Sequence, residues 1–288
     1  MLSLNYKRSI FQICEEIGTG TIGTQKMKPD IIIRFELLFS PLENSKLNKK
    51  KFSFRLLIPN YLIDLEEDEN LIYSKIHKNT RYKINRAMNR DELLYFERSN
   101  PSDTEIEEFK LFFNPFAKER NIRSCDENKL KALRDQGALI ISFITDKNGN
   151  VLCYHVYQKE EQQGYLIYSA STRYNIEDSG FRNLIGRANR YLHWKDILSF
   201  KEKGCKWYNF GGKILNKEDN EGQNVNQFKL EFGPVTGFDS RIFYSNSLLG
   251  KVGLIPLFIK WRNSSEYKFS KNFGSVKNMN YKYDSHEC

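Results

Sequence analysis

Between residues 138 and 212 the chain offers three strand-forming runs in quick succession, one long helix, and a short aromatic strand that stops against two glycines. The runs are ALIISFIT (138 to 145), NVLCYHVYQ (150 to 158) and GYLIYSAS (164 to 171), and the DKNGN turn makes the first two a hairpin. From about Gly180 to Lys203, the residues Leu184, Ala188, Tyr191, Leu192, Lys195 and Leu198 recur along one helical face, and Gly204 supplies the stop. CKWYNFGGK (205 to 213) then sets Asn209 and Phe210 directly before Gly211 and Gly212. A strand whose end faces a ligand needs backbone that approaches closely and takes φ above zero, and glycine does both without steric cost. Gly211 and Gly212 are therefore expected to floor a cleft.

The flanking segments extend the pattern. Runs at about 30 to 39 and at 51 to 58 (KFSFRLLI), separated by a Pro, Lys and Asn-rich connection, read as paired strands. From about Glu69 to Arg90, Tyr73, Ile76, Thr80, Ile84 and Ala87 recur at helical spacing, with Lys75, Lys78, Arg86 and Asn89 on a basic outer face. A strand at 92 to 98 leads to a helix that Ser102 or Asp103 can cap, and a second helix spans about 126 to 136. After the glycines come a short helical NVNQFKLEFG and a last strand near 237 to 244. The remainder from about Asn263 is polar and expected to be loosely ordered.

Composition narrows the partners. The 288 residues can bury a full core, and 40% hydrophobic content with 14% aromatics excludes global disorder. A formal charge of +9 favours anions: nucleic acid, acidic headgroups, phosphorylated cofactors or nucleotide-linked substrates. Cys14, Cys125, Cys153, Cys205 and Cys288 are scattered without a CxxC pair, which speaks for reduced thiols in a cytoplasm and against a disulfide framework or a zinc cage. No metal is expected. Charges at Lys7, Arg8, Glu15 and Glu16 interrupt the N-terminus as a secretory leader, and Lys251 and Pro256 break LLGKVGLIPLFIKW, which is too short to span a bilayer but could touch a membrane surface.

The element order resembles the GNAT superfamily (GCN-related N-acyltransferases), and three stretches sharpen the likeness towards its Fem-type branch and the related acyltransferases of cell-surface polysaccharide synthesis. NTRYKINRA (79 to 87) is similar to the branch's basic helix, and residues 188 to 212 to its long helix followed by a strand and an aspartate-aromatic-glycine-glycine ending. NQFKLEFG (226 to 233) is similar to its phenylalanine-lysine, phenylalanine-glycine signature. Asn209 stands where the branch usually has aspartate, which removes a charge.

The resemblance implies an α/β chain with a mixed sheet and a GNAT-like fold, its N-terminal half partial and GNAT-related. Residues 1–90 would form a strand and helix subdomain, 91–245 the catalytic domain, and 246–288 a partly disordered extension. It further implies a central strand pair that splays open to admit an acyl donor, namely acyl-CoA (acetyl-CoA foremost) or an acyl carrier protein. The donor's pyrophosphate would lie at a helix start, where Ser179, Gly180 and Phe181 offer amides and Arg173 and Arg182 offer charge. His155, on one strand face with Cys153 and Tyr157, is the candidate base together with Asn209; His193, placed on the outer side of its helix, and His77 and His286 are set aside. Arg81, Lys83, Arg86, Ser169, Ser171, Tyr208, Phe228 and Lys229 are candidate acceptor contacts.

The leading expectation is an N-acyltransferase acting on the amine of a sugar nucleotide or another cell-envelope precursor, a small nucleotide-linked or anionic acceptor. A second is a Fem-type aminoacyltransferase that uses charged tRNA to extend a peptidoglycan bridge. A third is a non-catalytic basic module for nucleic acid or membrane surfaces, for which no recognisable motif speaks.

Overall fold

The computed structural model describes residues 1–18, 28–39 and 52–274; His286, Cys288, the polar remainder beyond 274 and most of the Pro, Lys and Asn-rich connection lie outside the described residues. In chain order the elements are β1 (Leu2–Arg8), β2 (Phe11–Ile17), β3 (Ile31–Leu38), β4 (Ser53–Asp64), α1 (Glu69–Lys75), α2 (Lys78–Arg90) and β5 (Leu94–Arg98). Then follow α3 (Asp103–Glu119), α4 (Glu127–Asp135), β6 (Leu139–Thr145), β7 (Val151–Lys159), β8 (Gln163–Ser171), α5 (Ser179–Glu202) and β9 (Trp207–Gly212). The last are α6 (Asn220–Leu230), β10 (Val235–Ser245), α7 (Leu248–Trp261) and α8 (Ser265–Gly274).

One mixed sheet runs in the order β1-β2-β3-β10-β4-β9-β8-β7-β6-β5. The β2–β3 and β8–β9 pairs are parallel and the others antiparallel. One large core joins the sheet to α3, α4 and α7 through Ile106, Phe109, Phe113, Leu130, Leu133 and Leu254. On the other face α5 lies over β6 to β9, and α2 packs on α5. β8 is thus covered by α3 on one face and α5 on the other, and α5 also covers β9.

Three expectations fail. β3 and β4 are not neighbours: β10 lies between them and pairs with both, because alternation marks a strand without naming its partner. The helix read over 69 to 90 is two. Ile76 turns extended at ψ 133°, and His77 caps α2 with its side chain. The reason lies in the FG of NQFKLEFG. Gly233, at φ +67°, approaches the break so closely that a Cβ there would sit 2.5 Å from the Lys75 carbonyl oxygen. Third, residues 265–274 form α8, where Phe269 stacks on Phe238 and Ser270 receives the Leu57 N–H. The hairpin β1–β2 was legible in the alternation of Leu2, Leu4 and Tyr6, but the segment was read only for a leader.

α7 covers β10, β2 and β3, with Leu254 buried and Leu248, Val252 and Ile259 exposed. Among the described residues no helix is long and apolar enough to cross a membrane.

Candidate functional site

β8 and β9 pair for three residues only: Gln163 with Trp207, Gly164 with Tyr208 and Tyr165 with Asn209. Beyond that point β8 stays with β7, while β9 turns towards β4 and pairs Gly212 with Asn60. The strands diverge. The local chemistry makes the divergence cheap, because the Asn209 side chain accepts the Gly211 N–H at 2.8 Å and no backbone donor is stranded. Its other end donates to Gln163 Oε1 at 2.9 Å. Gly211 takes φ +78°, and a Cβ there would lie 3.4 Å from the Leu166 carbonyl oxygen, so this glycine faces the gap. Gly212 does not: its Cβ would press on Ile58 of β4 at 2.9 Å.

α6 delivers Lys229 to the divergence. Its ammonium donates to the carbonyls of Gly212 at 2.9 Å and Gly211 at 3.5 Å, and burial pushes its pKa down to about 8, with the charge of Asp239 pulling the other way. Beside it, Arg190 stacks over Phe228 and pairs with Glu231 at 2.8 Å. A cavity of about 310 Å³ opens here between the end of β8, α5 and α6, lined by Ser171, Arg173, Asn189, Arg190, Phe228 and Glu231 among others. Lys83 stands near it: burial lowers its pKa, as do the charges of Arg190 and Arg173, while Glu231 acts oppositely.

Behind the cavity, His155 is fully buried rather than open to a cleft. Nδ1 contacts Asp196 at 2.7 Å and Nε2 contacts Asn189 Oδ1 at 3.0 Å. Tyr208, expected to touch substrate, is also fully buried, with its hydroxyl 2.7 Å from that of Tyr157 and 2.6 Å from His193 Nδ1. His193 is therefore an inner residue of α5, contrary to its expected outer placement. The missed signal is polar periodicity: Asn189, His193 and Asp196 follow at i, i+4 and i+7, one stripe of α5 facing the sheet.

The expected pyrophosphate cradle lies in mixed-charge surroundings. Asp178 caps α5 and takes the Phe181 N–H at 2.6 Å. Gly180 and Phe181 border a hollow that Asp91, Glu92, Asp146 and Asp178 also line, opposed by Lys147 and Arg187. Asp91 pairs with Arg187 at 2.5 Å and Glu92 with Lys147 at 3.1 Å, while Asp178 already occupies the Phe181 amide. Ser179 is exposed at the same helix start. Arg81 donates to the Ser74 carbonyl, and Arg86 lies 3.7 Å from Asp91, so only Lys83 of the three α2 cations is held near the cavity. Ser169 pairs with His155 across β7 and β8 and is half-buried.

Asn209 and His155, the two candidate catalytic residues, are on opposite faces of the sheet. The Asn209 face carries Tyr165, Asp239 and Arg241, with Arg241 donating to the Tyr165 hydroxyl at 2.6 Å. It also holds a small cavity of about 30 Å³, bordered by Glu160, Gln163, Tyr165 and Asp239. Among the described residues no His, Cys, Asp and Glu group is arranged to hold a metal.

Among solved structures, FemX superposes with a TM-score of 0.53 at 12% identity, covering 82% of this chain and 83% of that one. The chain has a FemX-like fold. The same comparison returns L-PGS from Bacillus licheniformis (TM-score 0.44, 11% identity, 85% and 74% covered). It also returns a C-terminal domain (DUF2156) attributed to a lysylphosphatidylglycerol synthetase of Agrobacterium fabrum (0.48, 12%, 79% and 72%). No family model matches the sequence. No curated protein matches it either. At such identity the FemX-like architecture, a mixed sheet opened at β8 and β9, is what the likeness establishes.

Proposed function

We propose that the chain transfers an acyl or aminoacyl group from an activated ester or thioester to an amine, with the reaction in the gap between β8 and β9. The observation that carries this reading is the three-residue parallel pairing, with the Lys229 ammonium fixed where the strands part.

The chemistry follows from that geometry. A neutral amine attacks the carbonyl carbon, and the carbonyl oxygen gains negative charge in a site where a half-buried ammonium opposes it. The new C–N bond forms, the C–S or C–O bond breaks, and Lys229 gives a proton to the leaving group. The lysine then recovers a proton from the nitrogen of the new amide, so the step balances. Phe228 and Arg190 wall the cavity through which the donor would enter, and Ser171 and Asn189 offer hydrogen bonds to it. Residues 91–245 would carry the reaction, with 1–90 packed on them and 246–288 as an extension.

Two donors are carried forward. Acyl-CoA or an acyl carrier protein, with a sugar-nucleotide amine as acceptor, is the first. A charged tRNA, with an amine of a cell-envelope precursor as acceptor, is the second. Purified protein should release thiol from acyl-CoA with an amine panel, or move radiolabelled amino acid from charged tRNA to an amine of a cell-envelope precursor. Silence in both assays would retire the reading.

A further inference from the structure

Beneath the gap lies a column of buried polar groups that the transfer chemistry above does not use. Tyr157 reaches from β7 and Tyr208 from β9, and their hydroxyls meet across β8, where Gly164 carries no side chain and Phe200 fills the space above it. Asp196 also holds His155, whose Nδ1 lies 2.7 Å from Oδ2 and 3.1 Å from the Tyr157 hydroxyl; with Asp196 as the carboxylate of that pair, the directions from Tyr157 to His193 follow from counting hydrogens, since a phenol has one to give and a carboxylate none. Tyr157 donates to Asp196 Oδ2 at 2.6 Å, so the 2.7 Å contact with Tyr208 has Tyr208 as donor. Tyr208 then has no hydrogen left for His193 Nδ1 at 2.6 Å, and the imidazole donates instead. His193 therefore carries its proton on Nδ1 and a lone pair on Nε2, on the far side of the ring from Tyr208.

The buried His193 ring lies against residues that border the gap, with the His155 ring 4.1 Å away on another side. The His193 ring packs on Phe210, Phe228 and Phe232, and the first two immediately precede Gly211 and Lys229. Burial, then the charges of His155, Lys229 and Arg190, hold the imidazole well below its ordinary pKa, hence neutral. At the other end Asp196 Oδ1 receives Tyr95, which also contacts Glu97, and Glu97 pairs with Lys203 near the surface. Apolar side chains of equal size would fill this space at lower cost, so a fully connected polar column calls for a purpose.

Resting on the transfer reading, we propose that His193, Tyr208, Tyr157 and Asp196 form a relay that exports the proton an acceptor ammonium must lose before it attacks. His193 Nε2 takes the proton, Nδ1–H passes to Tyr208, the Tyr208 hydrogen passes to Tyr157, and the Tyr157 hydrogen passes to Asp196. Asp196 ends protonated on Oδ2; with that proton moved to Oδ1 it supplies Tyr95, whose own hydrogen goes to Glu97. The acceptor is accordingly an amine that arrives charged.

Two measurements test this. Nitrogen-15 NMR of the full chain, which needs no substrate, should place the His193 proton on Nδ1 between pH 6 and 8, and Tyr208→Phe should move it to Nε2. With an acceptor amine identified by the transfer assays, Tyr208→Phe and, separately, Tyr157→Phe should slow transfer about 100-fold at neutral pH. The loss should vanish as pH rises past the pKa of the acceptor amine, where no proton remains to export. A proton found on Nε2 in the wild type, or an equal loss at every pH, overturns the relay while leaving acyl transfer standing. Absence of any transfer by the wild type overturns the activity, and the relay with it, even if the NMR result is as expected.

Discussion

The Gly212 carbonyl accepts a hydrogen bond from Lys229 Nζ at 2.9 Å, so the end of β9 and the C-terminal part of α6 are tied at the point where β8 departs. Lys229→Met keeps the length of the side chain and removes the charge. Transfer should fall by about 100- to 1000-fold, as for loss of an oxyanion donor. Because the ammonium's pKa is pushed down to about 8, wild-type kcat should decline as pH rises through that value. Lys229→Arg, permanently charged and unable to give a proton to the leaving group, should be slower than wild type, and the transfer that its charge alone sustains should show no such decline. Steady-state kinetics from pH 6 to 10 checks both.

The glycine pair should divide into two roles. Gly211→Ala places a Cβ at φ +78° and 3.4 Å from the Leu166 carbonyl oxygen. It should cost about 1–2 kcal/mol of stability in urea unfolding and narrow the gap, lowering transfer. Gly212→Ala meets Ile58 of β4 instead, and the transfer rate should change less than for Gly211→Ala.

Asn209→Asp would restore the residue usual at this position in the Fem-type branch. Here it should harm. The amide donates to Gln163 and stands fully buried, and a carboxylate loses that donor and adds a second buried acid to Asp239. Destabilisation of about 2–4 kcal/mol at pH 8 is expected. Thermal melts should recover part of it as pH falls and the new carboxyl takes up a proton.

Glu160 faces the small cavity, where the side-chain amides of Gln158 and Gln163 donate to it, and burial raises its pKa to about 7. The folded chain therefore binds more protons than the unfolded chain between about 4.5 and 7, and unfolding free energy falls as pH rises across that window. The stabilisation is fully present below the lower value and lost above the upper one. Glu160→Gln should flatten this dependence and melt a few degrees higher than wild type at pH 8. Calorimetry at four pH values is sufficient.

The sequence exposed the elements better than their company. Period-2 runs and the DKNGN turn place β6, β7 and β8 to within a residue, and Gly204 stops α5 where expected. Local chemistry settles such features. The insertion of β10 between β3 and β4 depends on contacts some two hundred residues apart, to which no local pattern responds. The site divides along the same line. Gly211 and Lys229 were legible because a motif carried them. His193 was misplaced because α5 is buried on more than the single stripe its leucines mark, and a polar stripe facing inward reads like a solvated one until its partners on β7 and β9 are known. Asp178 shows the converse. An acidic cap is good helix chemistry, and it takes up the Phe181 amide that a phosphate would otherwise need.

Since β10 supplies the rung between two strands synthesised long before it, the centre of the ladder cannot be assembled until that later segment has been made. Until residue 245 has left the ribosome, β3 and β4 each present an open edge to other nascent chains. Shortened products ending before Val235 should accumulate as aggregates rather than as smaller folded proteins, and expression of the protein in halves should yield soluble material only when both are made together.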